Sequence, residues 1–388
     1  MKRFCLTVFA LSFLVLCLTI TSLAQQDQIP PNPVMAIRVG QDQKKALKVS
    51  DNIFQAVGFG NTFMVTTSEG NVIIDTSMPF NAALHKRLLT AENAGPIKYI
   101  ILTHAHGDHT GGIPAWKQPG TQIIAQKNHA EFQHYMARLN GFYALRNAAQ
   151  FALALPKPLE WPGNYGAKIE PTILFDNQYE FELGGVKFIV MSTPGETYDH
   201  ATVWIPKYKA AFIGDNYYDS FPNIYTLRGT QPRWALDYIN SLNKVLELKP
   251  EIVLPSHGLP IVGNAEIVKR VTRYRDAIQY VHDETVKGMN TGKDVWTLMN
   301  EIKLPAALAE PARMEYLALT LSEQPEDEDD IRAHKQEKRK AALVAAKLDP
   351  GNARFVEAAA ASCLDLFDEK QETAENAMSF SQLRDVLK

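Results

Sequence analysis

From about residue 52 to residue 302, short apolar runs bounded by turn residues alternate with stretches of helical periodicity. Thr62-Phe63-Met64-Val65-Thr66-Thr67, a turn at Glu69-Gly70-Asn71 and Val72-Ile73-Ile74-Asp75 predict a β-hairpin. A helix is expected over 80–92, then buried strands over Tyr99–Thr103 and Gln122–Ala125. Residues 128–153 carry helical periodicity with Phe132, Tyr135, Phe142, Tyr143 and Phe151. A second strand-rich stretch, 171–216, holds Tyr179–Leu183, a Gly184-Gly185 turn, Val186–Met191, Ala201–Ile205 and Ala210–Ile213. A helix over 232–248, the strand Ile252-Val253-Leu254 and helices over 264–287 and 293–302 follow. Two β-rich blocks, each trailed by helices, predict an α/β protein. Its two stacked sheets would be covered by helices on both outer faces, an αββα sandwich.

The ends read differently. Lys2 and Arg3, the apolar run Phe4 to Ile20 and the small residues of Ser22-Leu23-Ala24 form a secretory leader, residues 1–24, with cleavage expected after Ala24. The mature chain is then expected in the periplasm or secreted. An uncleaved anchor is the competing reading, but the run is short for a membrane span. Leu16 before Cys17 lacks the small side chain of a lipoprotein signal. No later segment could cross a bilayer. Residues 25–49, polar with Pro30, Pro31 and Pro33, read as an arm or linker before a catalytic domain over 50–305. Residues 306–388 read as a C-terminal helical appendage. Its charge-rich stretch (Glu323, Glu326 to Asp330, Lys335 to Lys340) is a solvated face or linker.

Composition narrows the chemistry. At 46% hydrophobic and 21% charged residues the chain is ordinary for a globular protein. Forty basic residues against 43 acidic give −3, and loss of Lys2 and Arg3 makes this −5. No basic stripe speaks for nucleic acid. Cys5 and Cys17 lie in the leader, so Cys363 is alone in the mature chain and no internal disulfide forms. Cys363 reads as a buried structural thiol.

The chemical signal is Thr103-His104-Ala105-His106-Gly107-Asp108-His109-Thr110-Gly111-Gly112. Three imidazoles and a carboxylate crowd the end of an apolar strand, where burial is costly unless a cation gathers them. Imidazole nitrogen and carboxylate oxygen are zinc donors. Gly107, Gly111 and Gly112 would let the backbone turn tightly. His200 after Ser192-Thr193-Pro194-Gly195, Asp215 after Ala211-Phe212-Ile213-Gly214 and His257 after Leu254-Pro255-Ser256 also follow apolar strands. Stacked strands would bring these ends together along one edge. His85, His129, His134, His282 and His334 stand outside the pattern and read as surface or structural residues.

These residues resemble the dinuclear pattern of the metallo-β-lactamase superfamily. The resemblance implies two Zn2+ ions, one held by His104, His106 and His200 and the other by Asp108, His109 and His257, with Asp215 bridging. Asp75 matches a position that supports the metal loop. Two divalent cations against two carboxylates leave a positive site that favours hydroxide over water. The implied chemistry is hydrolysis without a Ser or Cys nucleophile, with Asp108 as the catalytic side chain.

Asn223-Ile224-Tyr225-Thr226-Leu227-Arg228-Gly229, Ile302-Lys303-Leu304-Pro305 and Tyr280-Val281-His282-Asp283-Glu284-Thr285 resemble the alkyl sulfatase branch. There Arg228 and Asn223 would hold the sulfate, a guanidinium fork suiting a tetrahedral oxyanion. That branch typically places glutamates where His200 and Asp215 stand. The chain has no room for the sterol-carrier-like domain of the full-length sulfatases. Tyr217 and Tyr218, next to Asp215, are candidate substrate contacts, with Trp116, Trp161 and Phe221 as further pocket residues. The aromatic helix around Phe132, Tyr135, Met136, Phe142 and Tyr143 serves either an apolar substrate tail or core packing. The expected partner is a small-molecule ester or lactam; monomer and homodimer both stay open. A sulfuric-ester hydrolase thus competes with a hydrolase of a β-lactam, lactone, thioester or phosphoester. A non-hydrolytic metal-binding or redox protein is the third reading, against which stand the intact ligands and the lack of a flavin domain.

Overall fold

The computed structural model describes residues 39–150, 170–224 and 229–309, the side chains of 148–150 excepted. The leader, most of the arm and the C-terminal appendage beyond residue 309, with Cys363, lie outside the described residues. Thirteen strands among the described residues form two sheets. The first, in spatial order β1 to β7, comprises β1 (Leu47–Lys48), β2 (Ile53–Ala56), β3 (Thr62–Thr67), β4 (Gly70–Ile74), β5 (Ile97–Ile101), β6 (Gln122–Gln126) and β7 (Ile173–Phe175). The second runs β13 (Ile261–Val262), β12 (Ile252–Pro255), β11 (Ala210–Gly214), β10 (Ala201–Ile205), β9 (Val186–Ser192), β8 (Gln178–Leu183). β3 and β4 form the expected antiparallel hairpin, while β4 to β7 pair in parallel, as do β11 and β12.

Side-chain alternation with period two builds three apolar layers. Phe63, Val65, Val72 and Ile74 of the first sheet meet Phe188, Val190, Val203 and Phe212 of the second in a core between the sheets. The rings of Phe63 and Phe212 meet edge-on at 5.2 Å. The opposite faces carry Met64, Ile73 and Ile100 on one side and Ala211, Ile213 and Val253 on the other. Helix α1 (Pro79–Glu92) and the short α3 (Ile113–Trp116) cover the first outer face through Leu88, Leu89 and Trp116. Helices α6 (Ala235–Glu247) and α7 (Asn264–Asn290) cover the second through Tyr238, Leu242, Val271 and Ile278. The αββα expectation is met. Because both faces of the central strands are covered, they read as unbroken apolar runs.

Two boundaries and one side-chain placement differ from the sequence reading. β5 ends at Ile101, since the Thr103 amide leaves the ladder for Asp75. The 128–153 stretch is broken at Leu139 into α4 (His129–Arg138) and α5 (Asn140–Gln150). Trp116, expected in a pocket, is fully buried in the outer core. Helices α2 (Gly107–Thr110), α8 (Val295–Glu301) and α9 (Ala306–Ala309) complete the described elements. No helix among the described residues is long and apolar enough to cross a membrane.

Candidate metal centre

The polar residues that follow β5, β9, β11 and β12 gather at one edge of the sandwich. Asp75 is the anchor. It is wholly buried in a left-handed conformation, φ 54°, a cost that persists only where surrounding contacts hold it. Its carboxylate accepts from the Thr103 amide and hydroxyl, both at 2.8 Å, and from Ser256 Oγ at 2.7 Å. It also meets His109 Nδ1 at 2.9 Å. One carboxylate thus fixes the residues before His104 and His257 and orients the His109 ring, leaving Nε2 to face the cluster. The motif glycines act by close approach and not by unusual dihedrals: Gly111 and Gly112 have φ of −64° and −84°. A Cβ on Gly112 would lie 2.0 Å from the Thr76 carbonyl oxygen.

Two groups of donor atoms converge, each with all members within 4.8 Å of one another. One is Asp108, His109, Asp215 and His257; the other is His104, His106 and Asp215. Asp215 belongs to both. Its Oδ2 lies 3.1 Å from His257 Nε2, 3.4 Å from His109 Nε2 and 3.7 Å from His104 Nε2. Asp108 Oδ2 lies 3.3 Å from the Nε2 atoms of both His109 and His257.

Burial opposes charge on Asp108, His109, Asp215, His257 and His104, and mutual attraction overrides it on all but His104. Burial disfavours the His109 cation, yet Asp215, Asp108 and Asp75 together raise its pKa well above the usual value. His257 is likewise raised, to about 10, by Asp215 and Asp108 against burial. Burial raises Asp215, but His109, His257 and His104 bring it well below the usual carboxylate range. His104 goes the other way, lowered by burial and by the neighbouring His109.

Divalent cations fit this donor set on a specific observation. His109 Nε2 and Asp215 Oδ1 are buried without a hydrogen-bond partner, a cost that cation coordination removes. Both sit in the ligand groups, and Asp75 orients His109 from behind.

His200 is brought to the cluster in a different role from the one expected. Its ring lies 5.2 Å from that of His104, but its Nε2 accepts the Asp215 amide at 3.1 Å, so it stands outside both donor groups. Burial pushes its pKa down to about 4, consistent with a neutral acceptor. Gly214, at φ 54°, permits this approach; a Cβ there would lie 2.2 Å from His200 Nε2. Sequence reasoning missed Glu196, which is buried with Oε1 3.8 Å from His106 Nδ1. The signal was available: Glu196 directly follows the same Thr193-Pro194-Gly195 turn that singled out His200.

Of the expected substrate contacts, Tyr218 reaches the centre. Its hydroxyl donates to Asp215 Oδ2 at 3.2 Å and its ring lies 5.8 Å from that of His257. Tyr217 turns away, donating to Asp219 at 2.8 Å and packing on Tyr274, because successive residues of an extended chain face opposite sides. Tyr217, Tyr218 and Phe221 line a small cleft against Arg270, Arg273 and Tyr274 of α7. Asn223 is exposed, and its carbonyl accepts from Arg233 at 2.7 Å. Arg228 and Trp161 lie outside the described residues. Phe132 packs edge-on against His106 at 5.4 Å and Phe59 against His257 at 5.7 Å, so aromatic rings wall both ends of the centre. His85 and His129 are buried and structural: His85 bonds Thr62 and Val57, and His129 meets Asp199 at 3.1 Å.

The model of the metallo-beta-lactamase superfamily matches residues 56–257, more than half of the chain. The chain belongs to the metallo-beta-lactamase superfamily. It is 28% identical over 268 residues to a linear primary-alkylsulfatase of Pseudomonas sp., covering 63% of this chain and 50% of that protein. It is 25% identical over 315 residues to the alkyl/aryl-sulfatase BDS1 of Saccharomyces cerevisiae, covering 73% and 48%. The chain therefore spans about half the length of these curated relatives. Among solved structures it resembles the stereoselective inverting sec-alkylsulfatase Pisa1 from Pseudomonas sp., with TM-score 0.62 and 18% identity, over 84% of this chain and 63% of that one. The superfamily's shared fold and its divalent-metal chemistry suit the geometry above, and the sulfatase relatives are hydrolases.

Proposed function

We propose that the protein is an exported hydrolase of a sulfuric ester that works with two zinc ions at the His104–His257 centre. The observation that carries the two-metal reading is the sharing of Asp215 between two donor groups that keep orphaned, buried donor atoms. One ion would be held by Asp108, His109, His257 and Asp215. The other would be held by His104, His106 and Asp215, with Glu196 the nearest further carboxylate and His200 at the Asp215 amide. When bound, such a pair supplies a water that is nucleophilic near neutral pH and a Lewis acid for the ester.

The side chains do the rest. Asp75 holds His109 in one orientation, and the Asp215 amide fixes His200. Asp108 is the most open carboxylate of the cluster, at 16% side-chain exposure against 4% for Asp215, and His109 and His257 hold it ionised against burial, which supports a role in orienting the attacking water. Tyr218 donates to Asp215 and stands, partly exposed, at the centre's edge. Hydrolysis of a sulfate monoester then yields an alcohol and hydrogen sulfate. The similarity to alkyl sulfatases and the 223–229 segment, with Asn223 and Arg228, support the sulfuric-ester reading. Export rests on the leader-like first 24 residues.

A side-by-side screen of an alkyl sulfate, a cephalosporin, an acyl lactone and a thioester on zinc-loaded protein tests this. Turnover of the alkyl sulfate that Arg228→Ala abolishes supports it. Turnover of only the other substrates would assign the centre to another bond, and fewer than one bound metal per chain would remove the enzyme reading. N-terminal sequencing of protein from the producing cells checks export, with Gln25 the expected first residue.

A further inference from the structure

Beside His106 lies a buried acid–base cluster that the convergence of metal donors does not itself require. Glu196 divides its two oxygens. Oε1 faces His106 Nδ1 at 3.8 Å, while Oε2 is ion-paired with Arg233 Nη1 and accepts from the Tyr238 hydroxyl, both at 2.6 Å. Arg233 is 5% exposed and Tyr238 is wholly buried on α6. The same Arg233 Nη1 also donates to the Asn223 carbonyl at 2.7 Å. Among the described residues, Arg233 Nε and Nη2 are buried without a hydrogen-bond partner.

Burying a guanidinium in this way is costly, and a well-packed apolar pair of similar volume would commonly serve stability as well or better. A half-satisfied buried arginine therefore points to a demand for charge or position. Both demands are visible here. The guanidinium neutralises Glu196 and, with Tyr238, fixes its rotamer, so that Oε1 stays on the His106 side. It also spans to the backbone of Asn223, from the segment that the sulfuric-ester reading assigns to the substrate.

We infer that Arg233 is a positioning residue that joins the His104–His106 metal position to the substrate segment, holding Glu196 toward the first and Asn223 by its carbonyl. The inference rests on the dinuclear reading above. Its consequence is asymmetric: the metal position near His106 depends on Arg233, and the position held by Asp108, His109 and His257 does not. Partners of this kind around a ligand shell typically change metal affinity by about 10–100-fold.

The test is a chelator-competition titration of the mature protein with Zn2+ and with Co2+, the cobalt spectrum reporting the donor set, together with KM and kcat on the turned-over ester. Wild type, Arg233→Met, Arg233→Lys and Tyr238→Phe are compared, with thermal unfolding as the check on folding. Arg233→Met should weaken one of two bound cations by about tenfold or more, leave the other within a few-fold and raise KM. Tyr238→Phe should weaken the same cation by less, with KM unchanged, because it removes a bond to Glu196 Oε2 and none to Asn223. Arg233→Lys should recover part of the metal affinity, keeping the charge without the fork. If Arg233→Met fails to fold, the other two variants decide. Variants that bind both cations like wild type, or lose both equally, would overturn the inference alone. A wild-type protein that binds fewer than two cations would overturn it together with the dinuclear reading.

Discussion

His85 and the metal-centre histidines His104 and His109 are all wholly buried, and they differ in what answers their ring nitrogens. His85 has a partner on each side, Thr62 Oγ1 and the Val57 carbonyl, both at 3.0 Å. Burial pushes its pKa down to about 4, so it is a neutral, satisfied core residue. At the metal centre the same residue type is packed ring against ring, with His104 and His109 centroids 4.1 Å apart, and His109 Nε2 has no hydrogen-bond partner. A satisfied buried histidine builds structure, whereas converging unsatisfied donors mark a place kept for a cation. His129 stands between the two cases, bonded to Asp199 through Nδ1 with Nε2 orphaned, but with no second donor group around it among the described residues.

The largest effect is expected at Asp215. Because it belongs to both donor groups, Asp215→Ala should release both cations and cut hydrolysis by more than the roughly 100-fold that loss of an outer partner costs. Metal content measured beside turnover checks this; a variant that keeps both cations would show that Asp215 does not bridge. The protonation of the centre gives the next effect. His257 keeps its proton up to about 10 in the cation-free protein, and His109 is also raised. Cation binding must displace such protons, so apparent zinc affinity should rise with pH between about 6 and 9, roughly tenfold per unit for each proton displaced. A flat profile in a metal-buffered titration would contradict that assignment.

The sign reverses at His85. Its folded pKa of about 4 lies below the ordinary 6.5, so the fold favours the neutral ring. The stabilisation is full above 6.5 and is lost as pH falls through 4; a displacement of that size is worth roughly 3 kcal/mol. Urea midpoints of cation-free protein from pH 7 to pH 4 should fall steeply in wild type and less in His85→Asn. The substitution should itself cost about 1–3 kcal/mol, by leaving the Val57 carbonyl or Thr62 hydroxyl unanswered. Turnover per folded molecule should stay unchanged.

Much of this was legible in the sequence because apolar strands announce where polar residues are delivered. The run before Asp75, the run before His104 and the Leu254-Pro255-Ser256 step before His257 each end at the same edge of the sandwich. What lay beyond the sequence was rotation within loops. Glu196 and His200 share one turn after β9, and only the backbone path decides which side chain faces His106 and which faces the Asp215 amide. The carboxylate has Oε1 nearest the metal side, and the imidazole is taken up by a backbone donor. Arg233 was equally hidden, since nothing in its local pattern separates a surface arginine from one buried against a carboxylate. The wholly buried Trp116 shows the converse: an aromatic near a motif belongs to the core when its neighbours Ile113 and Leu89 do.

The smallest expected effect separates two adjacent tyrosines. Tyr218 touches Asp215, while Tyr217 bonds Asp219 and Arg270 and packs on Tyr274, away from the donors. Tyr218→Phe removes a hydroxyl that donates to a shared ligand, and it should lower turnover by about tenfold with the fold intact. Tyr217→Phe removes the bonds to Asp219 and Arg270, and it should cost about 1–2 kcal/mol of stability with turnover and metal content unchanged. Measuring unfolding midpoint and kcat on both variants sets the two outcomes at right angles, one moving activity and the other stability. If Tyr217→Phe instead moved kcat as much as Tyr218→Phe, the centre would extend beyond Tyr218 into the cleft against α7, and the line drawn here between satisfied and unsatisfied polar groups would have to move with it.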